Sequence, residues 1–127
     1  MPKLTIHKLG EAVVFRCIDR IVFGECHILR HAVLSHPYIE IVVLDMGAIS
    51  TIDAAGLGLL VELRKWAAAK RMQLKLLNLA PRVAKLLNIA HLTLIFDICS
   101  VRDMIDLLFR EYWSSLTTAY PAPAGRG

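Results

Sequence analysis

The hydrophobic residues of this chain follow the two-residue period of strands in some segments and the helical period in others. Residues 3–8 and 12–18 flank the turn signal Gly10-Glu11, which predicts a hairpin of two strands. Residues 41–46 (IVVLDM) form an apolar, β-branched run, typical of a strand that is buried on both faces of a parallel sheet. Two further strands are predicted over residues 73–79 and 95–99.

Helical patterns fill the segments between and after these strands. They predict helices over residues 26–34, from Asp53 to about residue 71, over 81–88 and from Ser100 onward. One apolar stripe of the second helix comprises Gly56, Leu59, Leu60, Leu63 and Ala67. The helical period of the last helix links Val101, Met104, Ile105, Leu108 and Tyr112, which predicts that they form its core-facing stripe. The order β-β-α-β-α-β-α-β-α predicts an α/β fold with a mostly parallel central sheet, helices packed against it and an antiparallel edge from the first hairpin.

The composition indicates one globular domain. Of the 127 residues, 56% are hydrophobic and 20% are charged, so the chain has enough apolar surface for a sizeable core. We predict a single domain over residues 1–118 and, because PAPAGRG contains no core residues, a disordered tail over 119–127. The net charge of +4 comes with only a loose cluster of basic residues and no interleaved aromatics, which argues against nucleic-acid binding.

The sequence also bears on location. The apolar stretch between Lys85 and Asp97, like every other charge-free stretch of the chain, is shorter than the about 18 residues that a transmembrane helix needs. The N-terminal segment carries Lys3, Lys8 and Glu11 without a continuous apolar core, so we expect no signal peptide. Three widely spaced cysteines favour free thiols in a reducing environment, and we expect a cytoplasmic protein.

The segment most informative about function is STIDAAGLGLL, at residues 50–60, which follows the buried strand and begins a helix. Asp53 is placed to cap this helix, because its carboxylate can accept the free N–H groups of the first turn. Gly56 and Gly58 remove side chains where that turn approaches the sheet or a partner closely. A helix start at the carboxyl end of a parallel strand is also suited to anions, although the segment matches neither a P-loop nor a dinucleotide motif.

Three segments of the chain match one known family pattern. The central segment, VVLDMGAISTIDAAGLGLLVEL, has a buried strand ending in Asp, a short loop and an Asp-Ala-Ala-Gly-Leu-Gly helix start. The likeness continues upstream in RCIDRIVFGE and downstream in LKLLNLAPRVAKLLNIAHLTLIFDI, and covers roughly residues 10–110. This pattern resembles the STAS domain of anti-sigma factor antagonists. The resemblance implies a bacterial signalling module that regulates transcription by binding a kinase-like anti-sigma factor or another protein of a STAS system.

The chain departs from the family pattern at the regulatory position. In the family, a serine that follows the motif Asp is phosphorylated, which adds negative charge in the partner interface and blocks binding. Ala54 occupies that position here and has no hydroxyl, so binding would be constitutive or regulated by another route. Ser50 and Thr51 precede Asp53 and are outside the first helical turn, so we do not expect them to be phosphosites.

The resemblance places the partner contact at the start of the second helix. Leu57 and Val61 lie off the predicted sheet-facing stripe and would join the apolar loop 21–23 in one patch. The family that the chain resembles has an aspartate in that loop in many members, whereas this chain has Ile21, Val22 and Phe23 there. The predicted partner-binding residues are Ile21, Val22, Phe23, Ser50, Thr51, Asp53, Ala54, Ala55, Gly56, Leu57, Gly58 and Val61.

Other functions stay open at this point. The chain could be a STAS subunit of a larger assembly, such as a lipid-transport ATPase complex or a stressosome, it could form a homodimer, or it could bind a nucleotide or another anion. His27 and His31 have a spacing that suits zinc, but no third ligand stands at a matching distance, so we predict no metal site. We also find no nucleophile with a base and no paired carboxylates, and therefore predict no catalytic residues, no enzyme activity and no cofactor.

Overall fold

Five strands form one mixed sheet in which the spatial order is the chain order, β1-β2-β3-β4-β5. The structure, a computed structural model, describes residues 4–106 and 109–110. The strands are β1 (Leu4–Leu9), β2 (Ala12–Ile21), β3 (Ile41–Ile52), β4 (Gln73–Leu77) and β5 (Asp97–Cys99). β1 pairs with β2 in antiparallel orientation, and the other neighbours are parallel. The predicted sheet with one antiparallel edge is therefore confirmed.

Three helices connect the parallel strands, and all three pack on the same face of the sheet. They are α1 (Cys26–Leu34), α2 (Ala54–Ala69) and α3 (Pro81–Ile89). Residues 101–106 and 109–110 are also helical, and we call this helix α4. The element order agrees with the prediction, so the α/β fold class is confirmed.

The apolar run of β3 packs on both faces of the sheet. Val42 and Leu44 belong to the main core, which α1, α2 and α3 cover. Ile41 and Val43 belong to a second, smaller core on the opposite face, where Met104 of α4 packs. A strand with helices on both sides needs apolar residues at successive positions, which explains why this segment does not alternate.

β2 and β3 extend further than the sequence pattern predicts. The expected strands ended at residues 18 and 46, whereas the observed strands continue to Ile21 and Ile52. Residues 18–21 pair with residues 48–52, with register shifts that interrupt the regular alternation. No loop therefore separates β3 from Asp53, which follows its last residue directly.

Helix α4 begins as predicted but buries less of its apolar stripe. Ser100 and Asp103 form a capping box: the Asp103 N–H donates to Ser100 Oγ (3.1 Å), and the Ser100 N–H donates to Asp103 Oδ2 (3.0 Å). Met104 is buried, whereas Val101 and Ile105 are exposed, so the expected core stripe is wrong at those two positions. They are displaced from Met104 around the helix by about 60° and 100°, which turns them away from the small second core.

Some sequence predictions fall on residues that the structure does not describe. These are Leu108 and Tyr112 of the last helix, the domain boundary at residue 118 and the tail over 119–127. Over residues 4–106 and 109–110, no helix is long and apolar enough to cross a membrane.

Candidate partner-binding site

The candidate site lies where the ends of β2 and β3 meet the first turn of α2. Gly56, in that turn, is buried against the carbonyl group of Ile21, the last residue of β2. A Cβ atom at Gly56 would overlap the Ile21 carbonyl oxygen and contact Ile52 Cγ1. The predicted close approach of the helix start to the sheet is confirmed for this glycine.

Asp53 joins three segments through its carboxylate and backbone. Its Oδ1 accepts a hydrogen bond from the Gly56 N–H (2.9 Å), so the predicted N-cap is confirmed. Its Oδ2 accepts a second hydrogen bond from the Phe23 N–H (3.0 Å), 30 positions earlier in the chain. The N–H groups of Phe23 and Gly56 lower the pKa of the Asp53 carboxyl group, which keeps it ionised at neutral pH. The carboxylate therefore holds the loop after β2 against the start of α2.

The loop after β2 exposes one large apolar side chain. Phe23 is 83% exposed, and Val22 beside it is half-buried. Ile21, by contrast, is only 4% exposed and belongs to the main core, so its side chain is not part of the exposed surface of this loop. The reason is the extension of β2, which pairs Ile21 with Ile52 and turns its side chain inward.

Helix α2 divides its apolar residues between the core and the surface. The predicted stripe of Gly56, Leu59, Leu60, Leu63 and Ala67 is fully buried, which confirms it. Leu57 and Val61 are half-buried and pack against the edge of the main core. Ala54 is exposed at the first helical position, and Ala55 is half-buried. We call Val22, Phe23, Ala54, Leu57 and Val61 the loop–helix surface.

Gly58 differs from Gly56 in its surroundings. It is exposed, and a Cβ atom built there would have no described atom within 4 Å. The close approach to the sheet is therefore made by Gly56 and not by Gly58, for which a close approach to a partner stays a prediction. A glycine inside an exposed helix lowers helix stability by about 1 kcal/mol relative to alanine.

The two hydroxyl residues before Asp53 lie at the end of β3 rather than in a loop. Ser50 and Thr51 are both exposed. The Ser50 hydroxyl donates a hydrogen bond to the carbonyl oxygen of Asp19 (2.8 Å), which has a positive φ of 79° beside a register shift of β2. Ser50 thereby holds the irregular part of β2 in place.

Two ion pairs flank the loop–helix surface. Arg30 of α1 and Glu62 of α2 form a two-pronged pair, with Arg30 Nε 2.6 Å from Glu62 Oε2. Arg20 and Glu25 form the other, with 3.2 Å between Nε and Oε2, across the loop that carries Phe23. An apolar centre with a charged rim is typical of protein–protein interfaces.

The described residues offer little for metal or thiol chemistry. His27 and His31 are exposed on α1, and no group of three His, Cys, Asp or Glu side chains in residues 4–106 and 109–110 is arranged to hold a metal ion. The three cysteines are free, and burial raises the pKa of the Cys17 thiol to about 12 and also raises the pKa of Cys26 and Cys99. These thiols are protonated, and therefore weak nucleophiles, at neutral pH.

The comparison with family models identifies the class. The model of the STAS domain matches residues 3–105, and the chain belongs to this family. The match spans both the extended β2–β3 pair and the capped start of α2. A sequence comparison with curated proteins finds no match.

Solved structures share this fold at low sequence identity. An anti-sigma factor antagonist (STAS) domain protein of Planctomyces limnophilus has a TM-score of 0.72 at 14% identity, and the alignment covers 86% of this chain and 97% of that chain. The anti-sigma factor antagonist SpoIIAA of Bacillus in its unphosphorylated form has a TM-score of 0.65 at 16% identity, with 83% and 96% covered. A third structure, Mglu, has a TM-score of 0.53 at 22% identity. It aligns with 57% of this chain, which spans only 18% of Mglu. At these identities the likeness establishes the fold alone.

Proposed function

We propose that this chain is a non-enzymatic, anti-sigma factor antagonist-like module of the bacterial cytoplasm, which binds a kinase-like anti-sigma factor through the loop–helix surface. The observation that carries the proposal is the Asp53 carboxylate, which holds the exposed Phe23 beside the capped start of α2. Structural relatives with this fold are described as anti-sigma factor antagonists. The partner itself is inferred from that likeness.

The fixed position of Phe23 supports a binding role. An exposed aromatic side chain gains no stability from its own fold, whereas aromatic residues are enriched among the anchors of interfaces. The backbone hydrogen bond from Phe23 to Asp53 orders the loop before any partner arrives. A surface ordered in advance loses less conformational entropy on binding.

The local chemistry favours binding without a phosphorylation switch. Ala54 stands at the first position of α2, where it has no hydroxyl to accept a phosphoryl group. The hydroxyl groups of Ser50 and Thr51 lie on β3, before the helix begins. The Ser50 hydroxyl is already used in a hydrogen bond to the carbonyl oxygen of Asp19. We therefore propose that binding is constitutive, or that it is controlled by protein abundance or by competition with a second STAS protein.

The same geometry counts against the anion-binding alternative. A free anion at the start of α2 would meet the ionised Asp53 carboxylate, which already occupies the Gly56 N–H. The like charges would repel each other. A STAS subunit of a larger assembly would use the same fold, and it is distinguished by the partners that the protein captures.

The test is affinity purification of tagged protein from its own cells, with captured proteins identified by mass spectrometry. We compare the wild type with Phe23→Glu, which places a charge on the loop–helix surface. Tyr38→Glu is the matched control, because Tyr38 is 96% exposed and lies between α1 and β3, away from that surface. Phe23 is a better position to vary than Leu57, because Leu57 packs against the core and its substitution would also affect folding.

We expect a kinase-like protein to be captured by the wild type and by Tyr38→Glu, and to be lost with Phe23→Glu. Capture of transporter or stressosome subunits instead would identify the chain as part of an assembly and contradict the antagonist proposal. Equal capture of the kinase-like protein by all three forms would keep the partner but reject the surface.

A further inference from the structure

Strand β1 is an edge of the sheet with a regular, accessible backbone. It pairs with β2 from Leu4 opposite Cys17 to Leu9 opposite Ala12, without a register shift. Among the residues that the structure describes, no strand pairs with its other side. An edge of this kind presents alternate N–H and C=O groups that can pair with another strand.

The two edges of the sheet differ in how they are protected. The opposite edge, β5, has only three residues, and the side chain of Asp97 there is ion-paired with Lys75 of β4. Short strands and charged side chains are common protections of sheet edges. β1 has six residues, and although Lys8 near its end is charged and exposed, Ile6 at its centre is apolar and 44% exposed. The β1 edge therefore has both the length and the apolar centre that pairing needs.

We propose that two copies of this chain associate by antiparallel pairing of β1 with β1, about a two-fold axis at Ile6. In that register Ile6 lies opposite Ile6 of the second copy, Thr5 opposite His7 and Leu4 opposite Lys8. No like charges face each other, and the two Ile6 side chains cover one another on the face that also carries Phe15. Pairs of β-branched residues directly opposite each other stabilise antiparallel strands.

The neighbouring register is less favourable. An axis at His7 would set the two His7 rings opposite each other and would lose the Ile6–Ile6 pair, because each Ile6 would then face Lys8. It would leave Leu4 without a partner residue in β1 of the other copy. The sequence of β1 is thus self-complementary about Ile6, and the product is one continuous sheet formed from two five-stranded sheets.

The test uses the full chain in analytical ultracentrifugation, from micromolar to millimolar concentration. We expect the wild-type mass to rise from monomer toward dimer, whereas Ile6→Lys and Ile6→Glu each remain monomeric because like charges meet at the axis. An equal mixture of the two variants should dimerise again, since Lys then faces Glu. Leu94→Lys is the matched control, because Leu94 is exposed in the segment between α3 and β5, and it should associate like the wild type.

Several results would overturn the proposal. A monomeric wild type throughout the range rejects it, as does an Ile6→Lys variant that dimerises like the wild type. A mixture that stays monomeric rejects the register. Hydrogen exchange of the unmodified protein gives a test without substitutions: the amides of β1 should exchange more slowly at high protein concentration, and an unchanged rate contradicts the pairing. None of these measurements depends on the proposed partner.

Discussion

The two glycines at the start of α2 give a matched pair of substitutions for the geometry of the site. Gly56→Ala adds a methyl group that would overlap the Ile21 carbonyl oxygen, a backbone atom that cannot rotate away. Gly58→Ala adds the same group where no described atom lies within 4 Å. Both changes replace glycine by alanine within one helix, so their gain in helix propensity, about 1 kcal/mol, cancels to a first approximation.

The free energies of unfolding of the two variants should therefore differ by the cost of the overlap. Forcing an extra methyl group into a packed site costs about 1–3 kcal/mol, and contact with backbone places Gly56→Ala near the upper end of that range. We expect Gly58→Ala to be more stable than the wild type by up to about 1 kcal/mol. Gly56→Ala should be less stable than the wild type by about 1–2 kcal/mol.

Urea denaturation followed by far-UV circular dichroism measures both free energies. A separation of about 3 kcal/mol between the variants also corresponds to more than about 10 °C in Tm for a domain of this size. If Gly56→Ala were as stable as Gly58→Ala, α2 would not approach Ile21 as described. The arrangement that presents the loop–helix surface would then be wrong.

Two further predictions concern the cap and the core. Because the pKa of Asp53 is lowered in the folded state, its contribution to stability is present above its unfolded pKa and is lost as pH falls through the folded value. Asp53→Asn should remove this contribution, so urea denaturation should show that acidification lowers the free energy of unfolding less in the variant than in the wild type. An equal decrease in both proteins would contradict the role of this carboxylate. Leu63→Ala should reduce the free energy of unfolding by about 2–5 kcal/mol, because Leu63 is fully buried in the main core and the substitution leaves a cavity. A loss below about 1 kcal/mol in urea denaturation would contradict that packing.

The elements whose patterns depend on local period were predictable from the sequence. The uninterrupted apolar run of β3 follows from burial on both faces of the sheet. The apolar stripe of α2 follows from burial of one face of the helix. Asp53 could be assigned as a cap because the capping bond to Gly56 spans only three positions. These features need no knowledge of distant segments.

The features that the sequence did not predict depend on contacts between distant segments. The bond from Phe23 to Asp53 joins positions 30 apart, and no local pattern marks it. The burial of Ile21 follows from its pairing with Ile52, across register shifts that break the alternation on which strand prediction relies. The exposure of Val101 depends on how small the second core is, which the helical period of α4 does not reveal.

Photo-crosslinking from position 23 is the measurement that tests the central claim most directly. A photoreactive phenylalanine analogue in place of Phe23 keeps the ring and the backbone N–H that donates to Asp53. In the cells that make this protein, we predict a crosslink from position 23 to a kinase-like protein, and none to that protein from the same analogue at Tyr38. If position 23 gave no crosslink, or if both positions gave the same one, the loop–helix surface would not be the partner-binding site.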